Sequence, residues 1–179
     1  MMNLDYRDMF THLFPGFFER ESIRGLPAQN VAEEMILELS DFSADALVIN
    51  CPPHITFGLF EGDIDALHEA VREVDEDWVQ YFSAGDRIYC AYDNGKVVSF
   101  CLIDDFGSYG ERKVGGPGCV GTIPSCRRQG IGLKMVQNAT AILKESGYDI
   151  SYIHYTGVAG WYAHLGYETI LKWNRNGFV

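Results

Sequence analysis

From residue 63 onward the alternation of apolar and polar positions is regular enough to read element by element. Ile64, Leu67, Val71, Val74, Trp78 and Tyr81 recur at steps of three and four. That spacing predicts one apolar face of a helix of about five turns, with Asp63 placed to cap it. The opposite face carries Asp65, Glu69, Glu73, Glu76 and Asp77 and reads as solvated acidic surface. Ile88 to Tyr92 and Val97 to Ile103 flank Asn94-Gly95, the strongest short-range hairpin signal because both turn residues need positive φ. A Gly-rich strand follows and ends near Ile123-Pro124. The next helix turns Met135, Ala139, Ile142 and Leu143 inward and stops at Gly147. Asp149 to Thr156 predicts a strand, Trp161 to Leu165 a short helix stopped by Gly166, and Tyr167 to Trp173 a last strand. With Ile55 to Phe60 as the first strand, the order is β-α-β-β-β-α-β-α-β, an α/β pattern around a mixed sheet.

The first 54 residues are less regular. Tyr6 to Phe18 is rich in aromatic residues and broken by Pro15-Gly16. Asn30-Val31-Ala32-Glu33 has the form of a capping box that could open a helix through Leu39, while Met35 to Leu39 could equally be a strand. Ala46 to Asn50 reads as a short strand stopped by Pro52-Pro53. The expected organisation is an N-terminal helical and strand extension, 1–54, packed on a domain spanning 55–179.

Charge changes the picture. The chain of 179 residues has a formal charge of −11, which disfavours nucleic-acid backbones as partners. The charge is unevenly spread: residues 1–93 hold 19 acidic and 5 basic side chains, residues 94–179 only 6 acidic against 9 basic. An anionic ligand is therefore expected in the second half. Five cysteines, an odd number and mostly in apolar runs, read as reduced thiols of a cytoplasmic protein. No CxxC or HxxxH spacing exists, so no metal site is expected. Met1 to Arg20 contains Asp5 and Asp8 and no apolar core of a signal peptide, and no run is long enough to span a membrane.

The chemistry centres on Arg127-Arg128-Gln129-Gly130-Ile131-Gly132, which lies between a strand and a helix start. Unpaired N–H groups and the helix dipole favour an anion there, glycines let it approach the backbone, and two arginines add positive charge. A phosphate or pyrophosphate cradle is the expectation. Gly116-Pro117-Gly118-Cys119-Val120-Gly121 matches the dinucleotide pattern GxGxxG, but Thr122-Ile123-Pro124 follows where a helix must begin. No P-loop signature exists.

Ile123-Pro124-x-x-Arg127-Arg128-Gln129-Gly130-Ile131-Gly132 resembles motif A of the GNAT superfamily of acyl-CoA-dependent N-acetyltransferases. About 30 residues later, Trp161-Tyr162-Ala163-His164-Leu165-Gly166-Tyr167-Glu168 is similar to that superfamily's FYxxLGFE segment. The resemblance covers roughly 55–173. It implies a mixed, mostly antiparallel sheet flanked by helices, and acetyl transfer from acetyl-CoA to a primary amine on a small molecule or peptide, without a metal. It further implies that amides from Arg128 through Leu133 (Arg128, Gln129, Gly130, Ile131, Gly132 and Leu133), with Arg127 beside them, hold the pyrophosphate. Main-chain groups of Gly121, Thr122 and Ile123 would pair with the pantetheine arm, and Tyr162 would be the general acid toward the leaving thiolate. A homodimer is compatible with the class.

Two departures from the family pattern stand out. Many relatives carry a carboxylate on the strand before the cradle, and Gly118 to Ile123 has none. The base is therefore open among Asp104, Asp105 and His154. Tyr155-Thr156 stands where relatives often have an Asn. Cys126, beside two arginines, has no paired histidine in the sequence. Tyr109, Tyr152 and Tyr155 are acceptor-pocket candidates. The competing reading is a non-catalytic acyl-CoA-binding module whose first 50 residues contact a partner. The acceptor itself is not legible.

Overall fold

The computed structural model describes residues 4–179. In chain order the helices are α1 (Tyr6–Leu13), α2 (Glu21–Arg24), α3 (Ile64–Val74), α4 (Ile131–Glu145) and α5 (Ala159–Ala163). The strands are β1 (Ala32–Glu38), β2 (Thr56–Leu59), β3 (Ile88–Asp93), β4 (Lys96–Tyr109), β5 (Arg112–Thr122), β6 (Ile150–Thr156), β7 (Glu168–Asn174) and β8 (Gly177–Phe178). All eight strands form one sheet in the order β2-β3-β4-β5-β6-β1-β7-β8. Every pairing is antiparallel except β5 with β6, which is parallel, and α4 is the long crossover that a parallel pair requires.

That parallel pairing is short. Only Val114–Ile150 and Gly115–Ser151 are in register, and beyond them the two strands part. On one face of the sheet α4 and α5 bury Met135, Ala139, Leu143, Tyr162 and Leu165 against Cys101, Ile103 and Ile153. On the other, α1 and the turn after it bury Met9, Phe10, Phe14 and Phe17 against Ile36, Tyr152 and Trp173. Helix α3 covers the neighbouring part of that face through Leu67, Ala70 and Val71 over Ile88, Cys90 and Phe100.

The Asn94-Gly95 hairpin forms with φ of 49° and 80°, as its residue types require. One open alternative is decided and two expectations change. The capping box at Asn30 opens no helix: residues 32–38 form β1, which is inserted between β6 and β7, so the N-terminal segment supplies a strand of the sheet itself as well as helices packed on it. The five-turn helix breaks after Val74. Asp75 turns out to an extended conformation (φ −160°, ψ 114°) and caps a separate 3-10 helix, Glu76–Tyr81, through the Asp77 N–H. A new cap has interrupted the apolar periodicity: Trp78 still packs against the core, while Tyr81 is exposed. Ala46 to Asn50 is not a strand. A 3-10 turn at Ala44–Ala46 leads into a loop over α4, where Gln137 Nε2 donates to the Ala44 and Leu47 carbonyls at 3.1 and 2.8 Å. Side-chain amide bonds replace the ladder that an edge strand would need.

A buried hydroxyl cluster ties α4 to the sheet. Tyr167 Oη bonds Thr140 Oγ1 at 2.9 Å and Ser151 Oγ at 2.7 Å. Tyr167→Phe should cost about 1–2 kcal/mol and lower Tm by about 3–6 °C, read by thermal melting. An unchanged Tm would show that the cluster contributes no net stability.

Candidate active site

The parting of β5 and β6 opens a cleft of about 630 Å3 whose lining brings together the end of β5, the start of α4 and α5. Local sequence explains the opening. Opposite Cys101, β5 bulges between Gly118 and Gly121, with Cys119 at φ 46°. A bulge bends its strand and disrupts the ladder. Gly121 leaves room for the Phe100 ring. Ser99 Oγ lies 2.7 Å from the Gly121 carbonyl and 2.8 Å from Thr122 Oγ1 and so fixes the end of β5 to β4.

The start of α4 differs from those of α1, α3 and the 3-10 helix Glu76–Tyr81. Asp5 caps α1, Asp63 caps α3 and Asp75 caps the 3-10 helix, each with a carboxylate on the N–H groups and acid in the first turn. Helix α4 has Gly130 as its cap (φ 77°), no side-chain cap and no acidic residue in its first turn. Arg128 just before it is also left-handed, φ 64°. Left-handed residues next to a helix start turn successive N–H groups toward a common point, a concave anion site. A side chain at Gly132 would press on Thr122 Oγ1 at 2.7 Å, so this glycine sets how closely α4 approaches β5.

Most of the residues expected at the site meet here. Gly121, Thr122, Arg127, Arg128, Gly130, Ile131, Gly132, Leu133 and Tyr162 line the cleft. Ile123 and Gln129 do not. Ile123 packs toward the α3 side and its N–H is bonded to the Val98 carbonyl at 3.0 Å, while Gln129 Nε2 reaches back to the Ser125 carbonyl. Arg127 Nε donates to the Thr122 carbonyl at 2.9 Å, which occupies one of the strand groups expected to pair with a ligand. Val120 and Trp161 also line the cleft. Trp161 stood inside the aromatic motif, yet nothing in the sequence marked it as facing the opening.

Tyr162 is buried at the cleft wall, with its ring 4.8 Å from that of Trp161. Burial, helped by Tyr167 and the thiols of Cys101 and Cys119, pushes its phenol above the ordinary value, so it keeps its proton throughout the physiological range. Burial first, then Asp104 and Asp75, raises the Cys119 thiol to about 12, which leaves it un-ionised. Of the acceptor-pocket tyrosines, Tyr152 is fully buried beside Phe14 and Phe106, Tyr109 bonds Asp8 through its hydroxyl, and Tyr155 is exposed at φ 56°.

On the opposite sheet face, buried Glu34 of β1 accepts from Trp173 Nε1 at 2.6 Å and the Tyr155 N–H at 3.1 Å, and pairs with His154 Nδ1 at 2.9 Å. Nothing in the sequence linked Glu34 to His154, since they are 120 residues apart. Asp104 is half-buried and makes no side-chain hydrogen bond among the described residues. Burial, reinforced by Asp86 and partly offset by His154, raises its carboxyl to about 6. The folded state then binds more protons than the unfolded one between about pH 4 and pH 6, so this group lowers stability as pH rises through that window. Asp104→Asn should therefore melt about 2–5 °C above the wild type at pH 7–8, with the difference gone by pH 4. Equal melting at pH 8 would show that Asp104 is not held in a costly environment.

The site thus combines an open sheet, a cleft at its one parallel junction, an uncapped helix start and a buried phenol in the cleft wall. Residues 84–169, just under half of the chain, match the family described as Acetyltransferase (GNAT) domain. Over those residues the chain is similar to GNAT acetyltransferase domains. No curated protein matches the chain. Among solved structures, the GCN5-related glucosamine N-acetyltransferase region of a fungal multi-domain GH3 β-N-acetylglucosaminidase is similar at 21% identity and TM-score 0.70, over 97% of this chain and 23% of that one. GCN5-related N-acetyltransferases from Sphaerobacter thermophilus (20%, TM-score 0.61, 79% of this chain and 49% of that one) and Kribbella flavida (20%, TM-score 0.56, 87% and 60%) share the fold. The chain spans from about a quarter to three fifths of the length of these proteins. Among the described residues no helix is long and apolar enough to cross a membrane, and no three His, Cys, Asp or Glu side chains gather as metal ligands.

Proposed function

We propose that the protein moves an acetyl group from acetyl-CoA to a primary amine. The observation that carries this reading is the start of α4. It is left without a carboxylate cap, framed by left-handed Arg128 and Gly130, and opens into the cleft that contains Tyr162. The N–H groups of the first turn would hold the pyrophosphate, with Arg127 and Arg128 adding charge beside them. The β6-facing side of β5 near Gly121 would receive the pantetheine arm, with the Thr122 carbonyl already taken by Arg127 Nε. The thioester carbonyl would then lie where β5 and β6 part, within reach of an amine from the opposite face. The C–N bond forms as the C–S bond breaks, and Tyr162 protonates the departing thiolate. Its raised pKa suits a donor that must stay protonated until the thiolate forms.

An amino-sugar amine is one acceptor to include, because a structural neighbour's name specifies glucosamine. A polyamine, an aminoglycoside and a lysine peptide are others, given the acidic first half of the chain. Release of free thiol from acetyl-CoA, followed across such an amine panel, tests the reading. Thiol release that depends on an amine is the expected result. Binding of CoA with no release on any amine would favour a non-catalytic acyl-CoA-binding module, a reading that the lack of a carboxylate on β5 supports.

A further inference from the structure

Strand β5 has no carboxylate of its own near the cleft, but it is overlaid by one. Asp104 of β4 is in register with Gly116 of β5. Its side chain leans along the sheet, so that a Cβ at Gly118 would collide with Asp104 Oδ2. Gly118 is thus the bare position over which the Asp104 carboxylate lies. The next strand closes the same row. A Cβ at Gly116 would strike the Tyr152 carbonyl of β6, and His154, two residues further along β6, is close enough to act on Asp104. Asp104 and His154 therefore lie within electrostatic reach of each other, on the sheet face opposite α4 and near the end of the β5–β6 pairing. Glu34 holds His154 at Nδ1.

We propose that Asp104 is the base of the reaction and takes a proton from the ammonium group of the acceptor. This rests on the amine acetylation proposed above. The ammonium N–H bond breaks and an O–H bond forms on Asp104, which later passes that proton to solvent. The neutral amine attacks the thioester carbon, and the thiolate leaves with the Tyr162 proton. The second proton that nitrogen sheds as the amide forms restores the phenol. A reachable carboxylate with no donor among the described residues is costly to keep, and such groups concentrate where chemistry needs them. The groups acting on Asp104 are Asp86 before β3 and His154 on β6. The Cys101 and Cys119 thiols lie within its electrostatic reach, and Asp75 at the end of α3 acts on Cys119.

The test compares wild type, Asp104→Asn and His154→Gln with the most active amine of the panel from pH 5 to 9, with CoA affinity measured alongside by calorimetry. The expected result is a wild-type kcat/KM that falls below about pH 6. Asp104→Asn should lose that limb and about ten- to a hundredfold in kcat/KM with CoA affinity unchanged. His154→Gln should keep the limb and move its midpoint upward, because the influence of His154 that lowers the Asp104 carboxyl is gone. An Asp104→Asn enzyme with wild-type rate and profile overturns the proposal and leaves the acetylation intact. A limb that vanishes only in His154→Gln gives the role to His154 and also overturns it. Wild type without thiol release on any amine overturns the acetylation, and the base with it.

Discussion

Calorimetry on Gly130→Glu is expected to find CoA affinity lowered at least a hundredfold, under conditions where the wild type titrates fully. Two independent costs meet at this position. Its φ of 77° lies where an L side chain loses about 1–2 kcal/mol, and a Cβ there would collide with the Asn50 carbonyl in the loop that crosses α4. Either that loop or the helix start must move, and the first-turn N–H groups move with it. The glutamate then adds negative charge where the diphosphate is proposed to bind. Gly130→Ala separates the terms, because it keeps the backbone cost without the charge. It should bind about tenfold more weakly than wild type and show a lower Tm. Wild-type affinity in Gly130→Ala would mean that the anion is held elsewhere. Higher salt should weaken wild-type binding only modestly, since N–H groups persist at any ionic strength.

Tyr162→Phe should lower kcat by about a hundred- to a thousandfold while leaving CoA affinity near wild type. The ring packs with Trp161 and Tyr167 and survives the substitution, so the cleft wall is preserved. Only the hydroxyl is lost, and with it the proton for the leaving thiolate. The phenol titrates above its ordinary value because burial disfavours phenolate, so wild-type kcat should show no alkaline limb from this group below pH 10. Thioester donors that differ in leaving thiol sharpen the test. A thioester with a more acidic thiol needs less proton transfer and should lose less in the variant. Equal kcat in Tyr162→Phe and wild type would remove the tyrosine from the chemistry and leave it as packing.

Half of the site was written locally. Arg127 to Gly132 and the Trp161 to Glu168 segment are contiguous motifs, and turns and helix starts depend on neighbours within a few residues. That locality is why the Asn94-Gly95 hairpin, the α4 start and the short helix with Tyr162 were readable in order. Elements that depend on distant partners were not. The segment 32–38 has features of both helix and strand, and the tie is broken by β6 and β7, more than 100 residues away. Asp75 ended the α3 periodicity with a cap that apolar spacing cannot register.

By itself, the chain determined the class of fold, the order of its elements from residue 55, and the location of a helix start without a side-chain cap in its basic half. Those properties follow from backbone geometry and short-range spacing. Tertiary structure alone decided where β5 and β6 part, that Ile123 turns away from the cleft, and that Asn50 stands against Gly130. It also set the Asp104 carboxylate over Gly118 and Glu34 behind His154. Strand register and packing across the sheet fix those juxtapositions, and both are set by contacts between residues that spacing along the chain does not relate.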